Sequence, residues 1–112
     1  MGVCKKAHLS KSLVTLEILD QAERDLIEGF HFYEEQQRGL GSYFLTNLYA
    51  DIESLKLFAG THSRPYKHYY RMLSKRFPFA VFYHVDEDKV FITAVLDCRR
   101  NPAWIRSRLK RK

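Results

Sequence analysis

Apolar residues recur along this chain in two different periods, and the change from one to the other outlines a fold. Residues 12–18 alternate loosely and are rich in β-branched side chains, which predicts a short strand ending before Asp20. Asp20 followed by Glu23 has the spacing of a helix N-cap and its third residue. Ala22, Leu26, Phe30 and Tyr33 then recur at helical steps, so one apolar stripe runs along an otherwise charged helix to about Gln37. Arg38-Gly39-Leu40-Gly41 breaks that pattern. A second stripe follows at Phe44, Leu48, Ile52 and Leu55, widened by Leu45, Tyr49 and Phe58, with Gly60 placed to end the helix. Two amphipathic helices joined by so short a turn are expected to pack as an antiparallel hairpin.

Beyond Gly60 the period changes to two. Residues 60–65 read as a loop and 66–73 as a strand, with Tyr70 and Met72 on one face and Tyr69, Arg71 and Leu73 on the other. Residues 74–78 turn the chain. Two strongly apolar strands follow, 79–85 and 90–96, joined by the four-residue acidic loop 86–89. They carry Val, Ile, Phe and Tyr on both faces, so they must be central or covered on both sides, a scaffold rather than a site. Asn101-Pro102 begins a last helical turn, since proline suits the first helical position. The predicted class is therefore α+β, in the order β-α-α-β-β-β with a short C-terminal helix: an N-terminal strand and a helical hairpin packed on a small antiparallel sheet.

The 112 residues make one domain, 1–112, with 1–12 as an N-terminal extension and 109–112 as a basic tail. That length buries roughly two-thirds of the unfolded chain's surface without a staple. No apolar run approaches the roughly 20 residues a bilayer needs, and residues 1–12 lack a signal-peptide block, so a soluble cytoplasmic protein without membrane association is expected. Cys4 and Cys98 match no metal spacing and read as two free thiols in a reducing compartment.

Net charge changes the picture more than composition does. Residues 1–16 carry three lysines and no acid, 17–59 carry nine acids against three bases, and 60–112 carry thirteen bases against four acids, for a total of +6. Such asymmetry speaks about partners, and it assigns the basic half to a polyanion or an acidic protein segment. The basic exit of the last strand, Arg99 and Arg100, leads to Trp104 and Arg106 and offers cations beside a flat ring. Trp104 either pins the terminal helix to the sheet or meets a partner. Arg71 needs a charge partner or solvent, and Arg76 adds a cation in the turn. The five histidines form no ligand pair, and Gly39 and Gly41 lack the Lys-Ser/Thr of a phosphate loop, so neither a metal nor another cofactor is expected.

The order Ala22-x-x-Asp25-Leu26, Phe32-Tyr33-Glu34, Gly39-Leu40-Gly41, Tyr70-Arg71, Arg76-Phe77-Pro78-Phe79-Ala80-Val81-Phe82-Tyr83 and Val95-Leu96-x-x-Arg99-Arg100-Asn101-Pro102-x-Trp104 resembles the RelE/ParE superfamily of bacterial type II toxins. The resemblance spans about residues 13–108. It implies growth arrest by the free protein and a cognate acidic antitoxin that wraps it into a toxin–antitoxin hetero-oligomer. RelE-like ribonucleases orient mRNA with basic residues on the sheet; one such arginine is replaced here by Ala80, while another matches Arg100. Loss of a cation near a scissile phosphate removes a large electrostatic stabilisation. The chain is accordingly closer to the ParE branch, similar to proteins that bind DNA gyrase and hydrolyse nothing. The alternatives are a ribosome-dependent mRNA interferase using Arg71, Arg76, Arg99 and Arg100, and an inert antitoxin-binding module.

Overall fold

The structure, a computed structural model, describes residues 14–66 and 68–110. The expected N-terminal extension, with Cys4, lies outside the described residues, as do Arg111 and Lys112 of the basic tail. Strand β1 (Thr15–Ile18) enters helix α1 (Asp20–Gln36), followed by α2 (Leu40–Glu53), a single turn α3 (Leu55–Phe58), strands β2 (Ser63–Tyr66), β3 (Tyr69–Leu73), β4 (Phe79–Asp86) and β5 (Lys89–Asp97), and helix α4 (Pro102–Lys110). The five strands form one sheet in the order β1-β5-β4-β3-β2. It is antiparallel from β5 to β2, and β1 adds a parallel edge, with Thr15 opposite Lys89 and Ile18 opposite Ile92.

The helical hairpin covers one face of the sheet. Ala22, Leu26 and Tyr33 of α1 and Phe44, Leu48 and Ile52 of α2 meet Met72, Phe79, Val81, Tyr83, Val90, Ile92 and Val95 in the larger core. The opposite face is covered more sparingly, where Ile105 and Leu109 of α4 pack on Ala80, Phe82, Ala94 and Leu96. This explains the burial of β4, which is complete from Phe79 to Tyr83, where both layers are present, and fades beyond them to Val85. The expectation that 79–85 and 90–96 are a doubly covered scaffold therefore holds for the half of the hairpin that lies between α1 and α4.

Several expected details differ. Asp20 is the first residue of α1, not its cap; Leu19 occupies the cap without a side-chain hydrogen bond, and Asp20 and Glu23 favour the helix by placing negative charge at the positive end of its dipole. The second helix is interrupted at Ser54, whose hydroxyl donates to the Asp51 carbonyl at 2.6 Å, the kind of local competition that bends a helix. Gly60 ends the last turn in a left-handed conformation, as expected. Residues 63–65, expected as loop, join Tyr66, expected to open the next strand, in an irregular outer strand that pairs with β3; Pro65 is tolerated there because an edge strand needs fewer donors. The β4–β5 connection is tighter than four residues: Asp86 and Lys89 pair, and Glu87 turns the chain with φ 59°. Leu109 and Lys110, placed in a basic tail, belong to α4, and Leu109 is buried because the apolar face of the helix needs a second anchor one turn after Ile105.

The approach of α1 to α2 is set by Gly29, against Phe44, by Gly41, against Phe30, and by one carboxylate. Glu34 accepts the Gly39 N–H through both oxygens, at 3.2 and 3.1 Å, and the Gly41 N–H at 2.9 Å, so an acid of the first helix caps the second. A Cβ at Gly41 would lie 2.6 Å from the Phe30 carbonyl oxygen, a backbone atom that cannot swing away. Gly41→Ala is therefore expected to cost about 1–3 kcal/mol through overpacking, despite the better helix propensity of alanine, and a lowered urea midpoint at unchanged slope would show it.

At the other end of the hairpin, buried Tyr83 accepts the Gly60 N–H at 3.0 Å and meets His62 Nδ1 at 2.5 Å. Burial lowers the His62 pKa from its ordinary value. The unfolded chain then binds more protons than the folded one just below the ordinary histidine range, so stability is present above it and lost as the pH falls. Urea midpoints at pH 7.5 and 5.5 should separate, and His62→Gln should reduce the separation; equal separation in both proteins would show that this contact plays no part.

Candidate partner-binding site

The residues that leave β5 fold back on the sheet. The Cys98 N–H donates to the Pro78 carbonyl at 2.8 Å, which lays the exit against the β3–β4 turn that carries Arg76. Asp97 then takes hold of Arg99: its Oδ1 accepts the Arg99 backbone N–H at 2.9 Å and Nε–H at 3.0 Å, and its Oδ2 accepts from an Nη at 2.8 Å. Those hydrogen bonds hold the Asp97 carboxyl below the ordinary carboxylate range. Arg99 is exposed, but much of its charge is already answered within the turn.

Arg100 is disposed differently. Asn101 caps α4 by accepting the Ala103 N–H on its side-chain oxygen at 2.7 Å, and Pro102 starts the helix as its composition suggested. One turn on, Trp104 is half-buried against the smaller core, and the Arg100 guanidinium lies 3.8 Å from its ring centroid, with that of Arg108 at 5.5 Å. Trp104 thus pins the helix, the first of the two roles weighed for it, and carries a cation of its own chain.

Sequence reasoning gives Asp25 no site role, yet with Arg108 it fastens α4 to α1. An Arg108 Nη lies 2.8 Å from both oxygens of Asp25, which also accepts the Val95 N–H at 3.0 Å. Gln21, with its amide oxygen turned toward Arg108, accepts from Nε at 3.0 Å. Asp25 is 7% exposed. Burial pushes its pKa up, against the opposing pull of the Val95 N–H and Arg108. The available signal was positional: Asp25 lies on the side of α1 that the apolar stripe turns toward the sheet, where an acid needs a partner.

Between α1 and α4 the structure leaves a cleft of about 360 Å³, with Gly29 and Phe32 on one side, Arg100 and Trp104 on the other, and Asp97 at one end. Phe32 is 51% exposed there. Of the remaining site residues named from sequence, Arg71 is half-buried on the sheet face beneath α4, beside Ala80, Phe82, Cys98 and Ile105 around a cavity of about 50 Å³. Arg106 is exposed on the outer side of α4. Arg76, Arg99, Arg100 and Trp104 therefore gather at one end of the sheet, whereas Arg71 looks onto the face that α4 covers. Partial burial of the Cys98 sulfur raises its pKa, which disfavours a thiolate nucleophile at neutral pH. Among the described residues no His, Cys, Asp and Glu side chains are grouped as a metal site, and no helix is long and apolar enough to cross a membrane.

An N-terminal strand, a helical hairpin and a largely antiparallel sheet with a basic exit make an α+β fold that recurs among solved structures. Among solved structures, a chain of the chromosomal ParDE TA system from P. aeruginosa has this architecture, with a TM-score of 0.68 over 75% of this chain and 95% of that one, at 16% identity. The likeness is one of fold. No protein-family model and no curated protein matches the sequence.

Proposed function

We propose that this chain is the toxin of a type II toxin–antitoxin pair, ParE-like, acting in the cytoplasm by binding a replication protein such as DNA gyrase. The observation that carries this reading is the fold shared with a chain of a ParDE TA system, together with the basic exit where the sheet ends. Arg100, Trp104 and Arg106 form the contact surface, with Arg76 and Arg99 at its margin, and a cognate acidic antitoxin covers them in a hetero-oligomer. The surface works by binding, and no cofactor takes part. Ala80 supports a mechanism without hydrolysis: it is 1% exposed and packed in one cluster with Ile105, so the position at which RelE-like proteins carry a cation is apolar and covered. Arg71, half-buried on that same face, is what favours the rival reading as a ribosome-dependent mRNA interferase.

Induction of this chain alone should arrest bacterial growth, and co-expression of an adjacent acidic chain should relieve it; unimpaired growth and replication would remove the toxin reading. The purified protein should inhibit gyrase supercoiling with accumulation of cleaved DNA complexes and leave mRNA intact in a translating extract. Specific mRNA cuts lost in Arg71→Ala or Arg100→Ala, with gyrase untouched, would establish the rival instead.

A further inference from the structure

We infer that the cleft between α1 and α4 is the seat of an apolar anchor side chain from an acidic protein segment, whose neighbouring carboxylate pairs with Arg100. The inference rests on the reading of this chain as one that binds an acidic partner, and it assigns that partner a docking point. Three observations support it. The cleft, at about 360 Å³, has room for a large side chain and is walled by Phe32, Trp104 and the bare backbone of Gly29. Phe32 leaves half its surface exposed, so a partner seated in the cleft it lines would bury ring area that the monomer leaves in water.

The third observation is charge. Two of the three acids lining the cleft are answered internally, Asp25 by Arg108 and the Val95 N–H, and Asp97 by Arg99. Arg100 is exposed and rests on an aromatic face, which orients it without neutralising it. A segment that places one carboxylate beside an apolar residue satisfies this arrangement. Single-stranded nucleic acid satisfies it less well, because its charges recur at every nucleotide past Glu28 and Asp97, and because Arg100 already lies over the Trp104 ring on which a base would stack.

Glu28, on the α1 side, makes the inference directional. If the occupant is acidic, Glu28 opposes it, and removing that charge should help. The experiment uses the full chain, ¹⁵N-labelled, titrated with a fluorescein-labelled peptide Glu-Glu-Leu-Phe-Glu-Glu, with Lys-Lys-Leu-Phe-Lys-Lys, Glu-Glu-Ser-Ser-Glu-Glu and an oligouridylate as comparisons. The acidic apolar peptide should shift the Gly29 amide and the Trp104 indole N–H. Phe32→Ala should weaken its binding about tenfold and Arg100→Gln severalfold, Glu28→Gln should tighten it about two- to threefold, and Lys89→Gln, an equal charge change at the far end of the sheet, should leave it unaltered. Urea midpoints of each variant separate binding from folding. Binding of the acidic peptide with shifts confined to other surfaces would overturn the cleft while leaving an acidic partner and growth arrest intact. Absence of binding, equal binding of the lysine or serine peptide, preferential binding of the oligouridylate, or weaker binding by Glu28→Gln would each overturn the inference.

Discussion

Asp25→Ala is expected to destabilise the folded chain by about 3–5 kcal/mol, the cost of breaking a buried ion pair from one side. The exchange strips Arg108 of its counter-charge in a position where its side chain is only 19% exposed, and it leaves the Val95 N–H without its acceptor. Asp25→Asn, which can still accept from Val95, should cost less. Arg108→Met removes the other partner and leaves a carboxylate at 7% exposure, so its effect should depend on pH in a defined direction. Burial already raises the Asp25 pKa above its unfolded value. A group shifted this way contributes stability that is fully present below the unfolded pKa and lost as the pH rises through the folded one. Without Arg108 the shift is larger. Arg108→Met should therefore lie well below wild type at pH 7 and regain part of the difference at pH 4.5, as read from urea midpoints at the two values. A deficit that is the same at both values would show that Arg108 acts through packing rather than charge.

Arg100→Glu is expected to weaken binding to an acidic partner by at least tenfold while changing stability by no more than about 1 kcal/mol, the usual worth of an exposed cation–π contact. Arg99→Glu should weaken binding much less, since Asp97 already answers most of the Arg99 charge. The two residues are adjacent and chemically identical, so the comparison isolates what the turn does to each. Affinity for the acidic apolar peptide Glu-Glu-Leu-Phe-Glu-Glu, measured at two salt concentrations, is the test: the Arg100 variant should lose most of the salt dependence and the Arg99 variant should keep it. Equal losses from both would mean that the exit acts as an undifferentiated patch of charge.

How much of this was legible in the sequence varied with how local each signal was. The stripe at Ala22, Leu26 and Tyr33 announced α1 because helix packing repeats every three or four residues, and the two apolar runs announced β4 and β5 for the same reason at period two. Residues 63–65 gave no such signal. Ser63, Arg64 and Pro65 carry turn composition, and they are strand only because β3 offers them an edge. The parallel pairing of β1 was equally silent, since four residues cannot declare a partner in a hairpin so distant along the chain. In the candidate site the cations were visible as residue types. Which of them remains free was not, because that depends on Asp97 curling back two residues and on Asp25 reaching across 83.

The pairing of β1 with β5 also orders events in time. Thr15 meets Lys89 and Ile18 meets Ile92, so the first strand of the sheet has no neighbour until the last has been made. The α1–α2 hairpin, by contrast, is built from near neighbours and can form early. A ribosome synthesising this chain therefore carries for most of the process a helical hairpin with its apolar face uncovered, and the sheet closes only once residues 89–97 are clear. Arg108 arrives later still, so Asp25 waits unpaired until α4 docks. The Arg100–Trp104 surface cannot assemble before α4 has been synthesised, and a nascent chain stalled before residue 100 holds no part of it.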